Sequence, residues 1–161
     1  MLASASMAFL PNEAKAAKYG AFGAGSPNVM NPLDAEIDQE ALKSDEVQRA
    51  LKSVKSYKAL VNEYMDVLSK DTQANISKRV PRDFDFIKLR TDLNSVGTIY
   101  DEDTQRGTDR LIRVILQDIT ELETALRMKP DVPRSERRLA TSLAKLDKLN
   151  KAFDDFLQFA P

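Results

Sequence analysis

From Ser44 onward, apolar residues recur at spacings near three and four, the period of a helix with one buried stripe. A first helix is expected from Ser44, whose hydroxyl can cap free backbone amides beside Asp45 and Glu46. Its stripe is Val47, Leu51, Val54, Leu60, Val61, Tyr64, Met65 and Leu68, and the period is lost after Lys70. A second helix follows "KRVPRDF", with Phe84, Ile87, Leu89, Leu93, Val96 and Ile99 or Tyr100 on its apolar face. A third starts around "DEDTQRG" and buries Leu111, Ile112, Ile115, Ile119, Leu122 and Leu126. Pro130 and Pro133 end it, and a fourth opens at Ser135 with Leu139, Leu143, Leu146, Leu149, Phe153, Phe156 and Leu157 facing inward. No strand pattern competes. The expected fold is all-α, a four-helix up-down-up-down bundle over residues 44–161 with helices crossing at roughly 20°.

The first 43 residues break this pattern. The apolar run Met1 to Leu10 stops at Pro11 and is followed by Ala14-Lys15-Ala16, small residues at the two places where signal peptidase tolerates nothing larger. Residues 1–16 therefore read as the remainder of a targeting segment, cleaved after Ala16, and the missing basic leader suggests a longer precursor. The alternative is a frayed or amphipathic tail. Residues 17–43 form an expected extended arm, because Gly20, Gly23, Gly25, Pro27 and Pro32 deny it a regular helix. Tyr19, Phe22, Val29 and Met30 are apolar groups that such an arm must lay on its own domain or on a partner.

Composition narrows the chemistry. The chain has 161 residues and a formal net charge of -1, so bulk electrostatics does not favour nucleic acid or an anionic membrane. It contains no Cys and no His, which removes thiolate nucleophiles, Cys-based metal sites and the usual near-neutral acid–base group. No glycine-rich phosphate loop, HExxH or nucleophile elbow is present, and an enzyme or a bound cofactor is not expected. Asp101, Asp103 and Gln105 alternate like calcium ligands, but an EF-hand loop needs glycine sixth and an acidic residue twelfth, where Arg106 and Ile112 stand. Asp118, Glu121 and Glu123 read as a solvated face of the third helix. On the fourth, Arg134, Arg138, Lys145 and Lys148 share one side, either as an ordinary exposed face or as a contact surface for an acidic partner.

Two stretches, "FDFIKLRTDLNSVGTIYDEDTQRGTDRLIRVILQDITELETA" and "RRLATSLAKLDKLNKAFDDFL", resemble the PsbQ-type extrinsic proteins of photosystem II. The first is similar to that family's second and third helices, with an "LR..L" core at Leu89, Arg90 and Leu93, and the undivided third helix looks closest to the diatom and red-algal branch. The resemblance implies a non-catalytic protein on the lumenal side of the chloroplast thylakoid, attached through protein contacts alone to photosystem II core subunits and other extrinsic subunits. It further implies stabilisation of the oxygen-evolving complex and retention of calcium and chloride without binding them. By position, docking would fall to Lys18, Tyr19 and Phe22 in the arm and to Arg134, Arg138, Lys145 and Lys148 on the last helix. A lumenal subunit of photosystem I or its antenna, and a free-standing helical-bundle binding protein, are the alternative readings.

Overall fold

The computed structural model describes residues 31–160. The expected targeting segment and most of the expected arm, including Lys18, Tyr19 and Phe22, lie outside them. The described residues are all-α: a 3-10 turn Pro32–Asp34, then α1 Gln39–Leu42, α2 Asp45–Lys70, α3 Val80–Asp83, α4 Phe86–Gly97, α5 Glu102–Leu126 and α6 Glu136–Leu157. The one pairing of β type among them is an isolated bridge between Ile37 and Tyr100.

Helix α2 begins as its sequence dictates, with the Ser44 hydroxyl accepting from the Val47 amide at 3.3 Å and Asp45 and Glu46 at the positive end of the dipole. Val47, Leu51, Val54, Val61, Tyr64 and Leu68 are buried, joined by Ala50 and Tyr57, while Leu60 and Met65 sit at the margin of the core. Helix α6 opens in the same manner on Ser135 and buries Leu146, Leu149, Phe153 and Phe156. Leu139, Leu143 and Leu157 are only partly covered.

The expected second helix is two helices. Asp85 adopts an extended backbone and accepts from the amides of Ile87 and Lys88 at 3.1 and 3.0 Å, so it starts α4 where the apolar period alone suggests continuity. The break turns Phe84 inward, where it stacks on Tyr57 and meets Tyr64 edge-on, both at 5.9 Å between ring centres. It also turns Ile87 outward: expected in the core, this side chain is 83% exposed. Leu89, Leu93 and Val96 form the buried face of α4.

The expectation of a continuously extended arm fails for residues 31–43. Asn31 caps the 3-10 turn and Asp38 caps α1, each using its side chain in place of the missing backbone acceptor. Between them the chain is tied to the connection from α4 to α5. The Asp38 amide donates to the Ile99 carbonyl at 2.8 Å, and the Asp101 amide to the Glu36 carbonyl at 3.3 Å.

Contacts between helices run in opposite chain directions. From α4 to α2, Asp92 meets Ser53 at 2.6 Å and Ser95 meets Glu46 at 3.3 Å. From α6 to α5, the Ser142 hydroxyl reaches the Ala125 carbonyl at 3.3 Å and Lys148 reaches Asp118 at 2.6 Å. Lys58 of α2 pairs with Asp154 of α6. One core results, with Tyr64, Phe84, Phe153 and Phe156 fully enclosed. Each large apolar side chain so buried contributes about 1.5–3 kcal/mol against the entropy of ordering the chain.

Candidate docking surface

Three of the four basic residues expected to face a partner do sit near one another at the α5–α6 seam, but the structure engages them internally. On α5, Asp118 and Glu121 are three residues apart; on antiparallel α6, so are Lys148 and Lys145. The two pairs meet rung by rung. Lys145 donates to Glu121 at 2.6 Å and Lys148 to Asp118 at 2.6 Å, with Lys148 also 3.7 Å from Glu121. The Lys145 hydrogen bond, helped by one from Gln117, pulls the Glu121 carboxyl down to about 2. The hydrogen bond with Asp118 holds the Lys148 ammonium above the ordinary lysine range. Asp118 is 1% exposed, and its second oxygen, Oδ2, has no hydrogen-bond partner. The expected solvated acidic face is therefore turned toward the basic face of α6, except for Glu123, which pairs with Arg127 at 2.9 Å.

Arg134 is a clearer correction. It precedes the Ser135 cap and is not part of α6, so the helical spacing that grouped it with Arg138 does not apply. Its guanidinium is buried, 5% exposed, donating to the Thr72 carbonyl at 2.6 Å and the Ala74 carbonyl at 3.0 Å. The Gln73 side chain completes the clamp, accepting from the Arg134 amide at 2.6 Å and donating to its carbonyl at 3.1 Å. Burial lowers the guanidinium pKa, yet two carbonyls at hydrogen-bonding distance suit a planar donor fork. Arg138 donates to the Arg127 carbonyl, satisfying a backbone acceptor just beyond the end of α5.

The clamp fastens the α2–α3 loop to the α5–α6 loop at one end of the molecule. There Met128, Pro130, Val132 and Pro133 share a shallow groove of about 520 Å³ with Lys78 and Lys129. Val132 is 49% exposed, and neither lysine has an ion-pair partner among the described residues. Asp131 at the tip has φ 58°, a left-handed conformation that costs a non-glycine residue about 1–2 kcal/mol. This surface was not expected from the spacing of helical residues. Its signal is the run "KPDVP", where an apolar residue lies between two prolines and the chain cannot bury it in a helix.

Other polar clusters hold helices together. Lys88 lies 2.7 Å from the Ser53 hydroxyl, a nucleophile-and-base pairing in form, but Asp92 at 2.8 Å raises the lysine pKa and keeps it charged. A protonated lysine cannot accept the serine proton. Asp83 receives Tyr64 at 3.0 Å, Arg79 at 3.0 Å and Arg82 at 2.8 Å, and its pKa falls chiefly through Arg82. Asp101, considered for calcium, caps α5 by accepting from the Asp103 amide and the Thr104 hydroxyl. Among the described residues no three carboxylates converge as a metal site, and no helix is long and apolar enough to cross a membrane. In comparisons with known proteins, no family model, no curated protein and no solved structure matches this chain.

Proposed function

We propose that the chain is a membrane-extrinsic, non-catalytic subunit of photosystem II in the chloroplast thylakoid lumen. There it stabilises the oxygen-evolving complex and helps retain calcium and chloride. Its body is an up-down-up-down bundle of α2, α4, α5 and α6, a reading supported by the opposed chain directions of the α2–α4 and α5–α6 contacts. The observation that carries the functional reading is where the PsbQ-like stretches fall: they take in α4, α5 as far as Ala125 and α6 from Arg137 onward, three of the four long helices of the body.

Docking uses Lys18, Tyr19 and Phe22 of the arm together with the end surface around Lys78, Lys129 and Val132. Lys145 and Lys148 already have acidic partners, and Arg134 is enclosed, so these cations support contact with a second protein less well than the two unpaired lysines. A lumenal place on photosystem I or its antenna is the competing assignment.

Fractionation of native thylakoid membranes separates the two. The protein is expected in the photosystem II fraction, released at moderate salt because exposed charge contacts are screened within about 8–10 Å. Recovery in the photosystem I fraction, or in the soluble lumen at every ionic strength, contradicts the proposal. The double substitution Lys78→Glu with Lys129→Glu is expected to lower the salt needed for release.

A further inference from the structure

The outward face of α2 carries charges of both signs that the molecule itself leaves unused. Asp45, Lys52, Lys55, Asp66 and Lys70 are exposed and take part in no ion pair among the described residues. Glu63 is exposed too, and it holds Arg79 at 2.8 Å through one carboxylate oxygen, Oε1. Elsewhere in the body opposite charges on neighbouring turns or helices meet, as Arg106 does with Glu102 and Lys145 with Glu121. On α2 they run from the first residue of the helix to the last, with the short, exposed Ala59 among them.

At about 100° per residue, all six charges fall within about 40° of the direction in which Ala59 points. Asp45, Lys52, Glu63 and Lys70 lie on one flank of that line, Lys55 and Asp66 on the other. A twofold axis at the level of Ala59 that sets a second α2 antiparallel to the first keeps each flank on its own side and reverses the order along it. Lys52, seven residues before Ala59, then meets Glu63, four after it, of the second copy. Asp45 meets Lys70 and Lys55 meets Asp66 in the same manner. Each pair is about 4.5 Å out of level along the axis, within reach of a lysine side chain. The symmetry doubles these contacts, and the small Ala59 lets the two axes approach. A parallel arrangement would instead set each lysine against the same lysine, so the sign pattern selects the antiparallel one.

We propose that α2 pairs with α2 of a second copy of this chain, antiparallel and centred on Ala59, in an isologous dimer. Charge complementarity rather than apolar burial holds the copies together, so association is weak and sensitive to salt. The assignment stands independently of the photosystem reading, since it concerns the protein alone.

Sedimentation velocity of the full-length protein at low ionic strength is expected to show dimer growing with concentration, and monomer alone at about 1 M salt, where screening acts within about 3 Å. Lys52→Glu with Lys55→Glu, and separately Glu63→Lys with Asp66→Lys, are each expected to weaken association by about tenfold or more, since both sets set like charges against each other across the axis. All four positions are exposed, so the core is untouched. An equimolar mixture of the two variants is expected to recover the dimer, because every reversed pair is again opposite in sign. Lys78→Glu with Lys129→Glu has the same net charge as the first variant, and mixing it with the second is expected to give no such recovery. A protein that stays monomeric at every concentration overturns the proposal, as does a dimer that either variant forms as tightly as the unmodified chain. Failure of the matched mixture to associate, or equal association in the mismatched one, also overturns it.

Discussion

At the scale of single residues, the account turns on side chains that join elements far apart in sequence. Arg134→Ala is expected to destabilise the fold by about 2–3 kcal/mol, read as a lower urea midpoint, because it removes two charge-assisted bonds to the Thr72 and Ala74 carbonyls and empties the space of a buried side chain. Lys148→Met is expected to cost about 2 kcal/mol by stranding Asp118, whereas the double change with Asp118→Leu is expected to recover most of that loss. Glu121 gives a pH signature of defined sign. Its folded carboxyl lies near 2 against 4.5 when free, so its stabilisation is complete above pH 4.5 and is lost as pH falls toward 2. Urea midpoints of Glu121→Gln measured over that interval are expected to decline less steeply than those of the unmodified protein. Asp118 was read as solvated, although it falls three residues after Ile115 and four before Leu122, on the buried stripe, a position that calls for a partner across the seam. Arg134 was misplaced by spacing, although the neighbouring Ser135 cap already set the helix boundary beyond it.

At the scale of elements, the starts of α2 and α6 followed from Ser44 and Ser135 acting as caps, and the apolar stripes gave most of the core. The split between α3 and α4 was hidden because Phe84, Leu89 and Leu93 continue to sound helical across it. What breaks the helix is the carboxylate of Asp85 competing for amides that the continuing helix requires. Asp85→Ala is expected to cost about 1 kcal/mol. The cost is expected to appear as faster amide exchange at Ile87 and Lys88. Gly97, the last residue of α4, lacks a left-handed φ and has no atom near the place of a new Cβ. Gly97→Ala is therefore expected to stabilise the protein by about 0.4–1 kcal/mol, detected as a raised melting temperature. A lowered melting temperature contradicts this.

At the scale of the whole molecule, the all-α class was readable because every strong period in the sequence is helical. The end surface was not, since it is assembled from two loops joined by Gln73 and Arg134, 61 residues apart. The described body turns its acidic and basic faces toward each other at the α5–α6 seam and leaves Lys78, Lys129 and Val132 outward, where the proposed docking would use them. The most direct measurement is oxygen evolution by photosystem II membranes stripped of extrinsic proteins by salt, with and without the purified full-length protein, at limiting calcium and chloride. Restored evolution, weakened by Lys78→Glu with Lys129→Glu, is the expected result; no binding, or binding that leaves oxygen evolution unchanged, contradicts the proposed function.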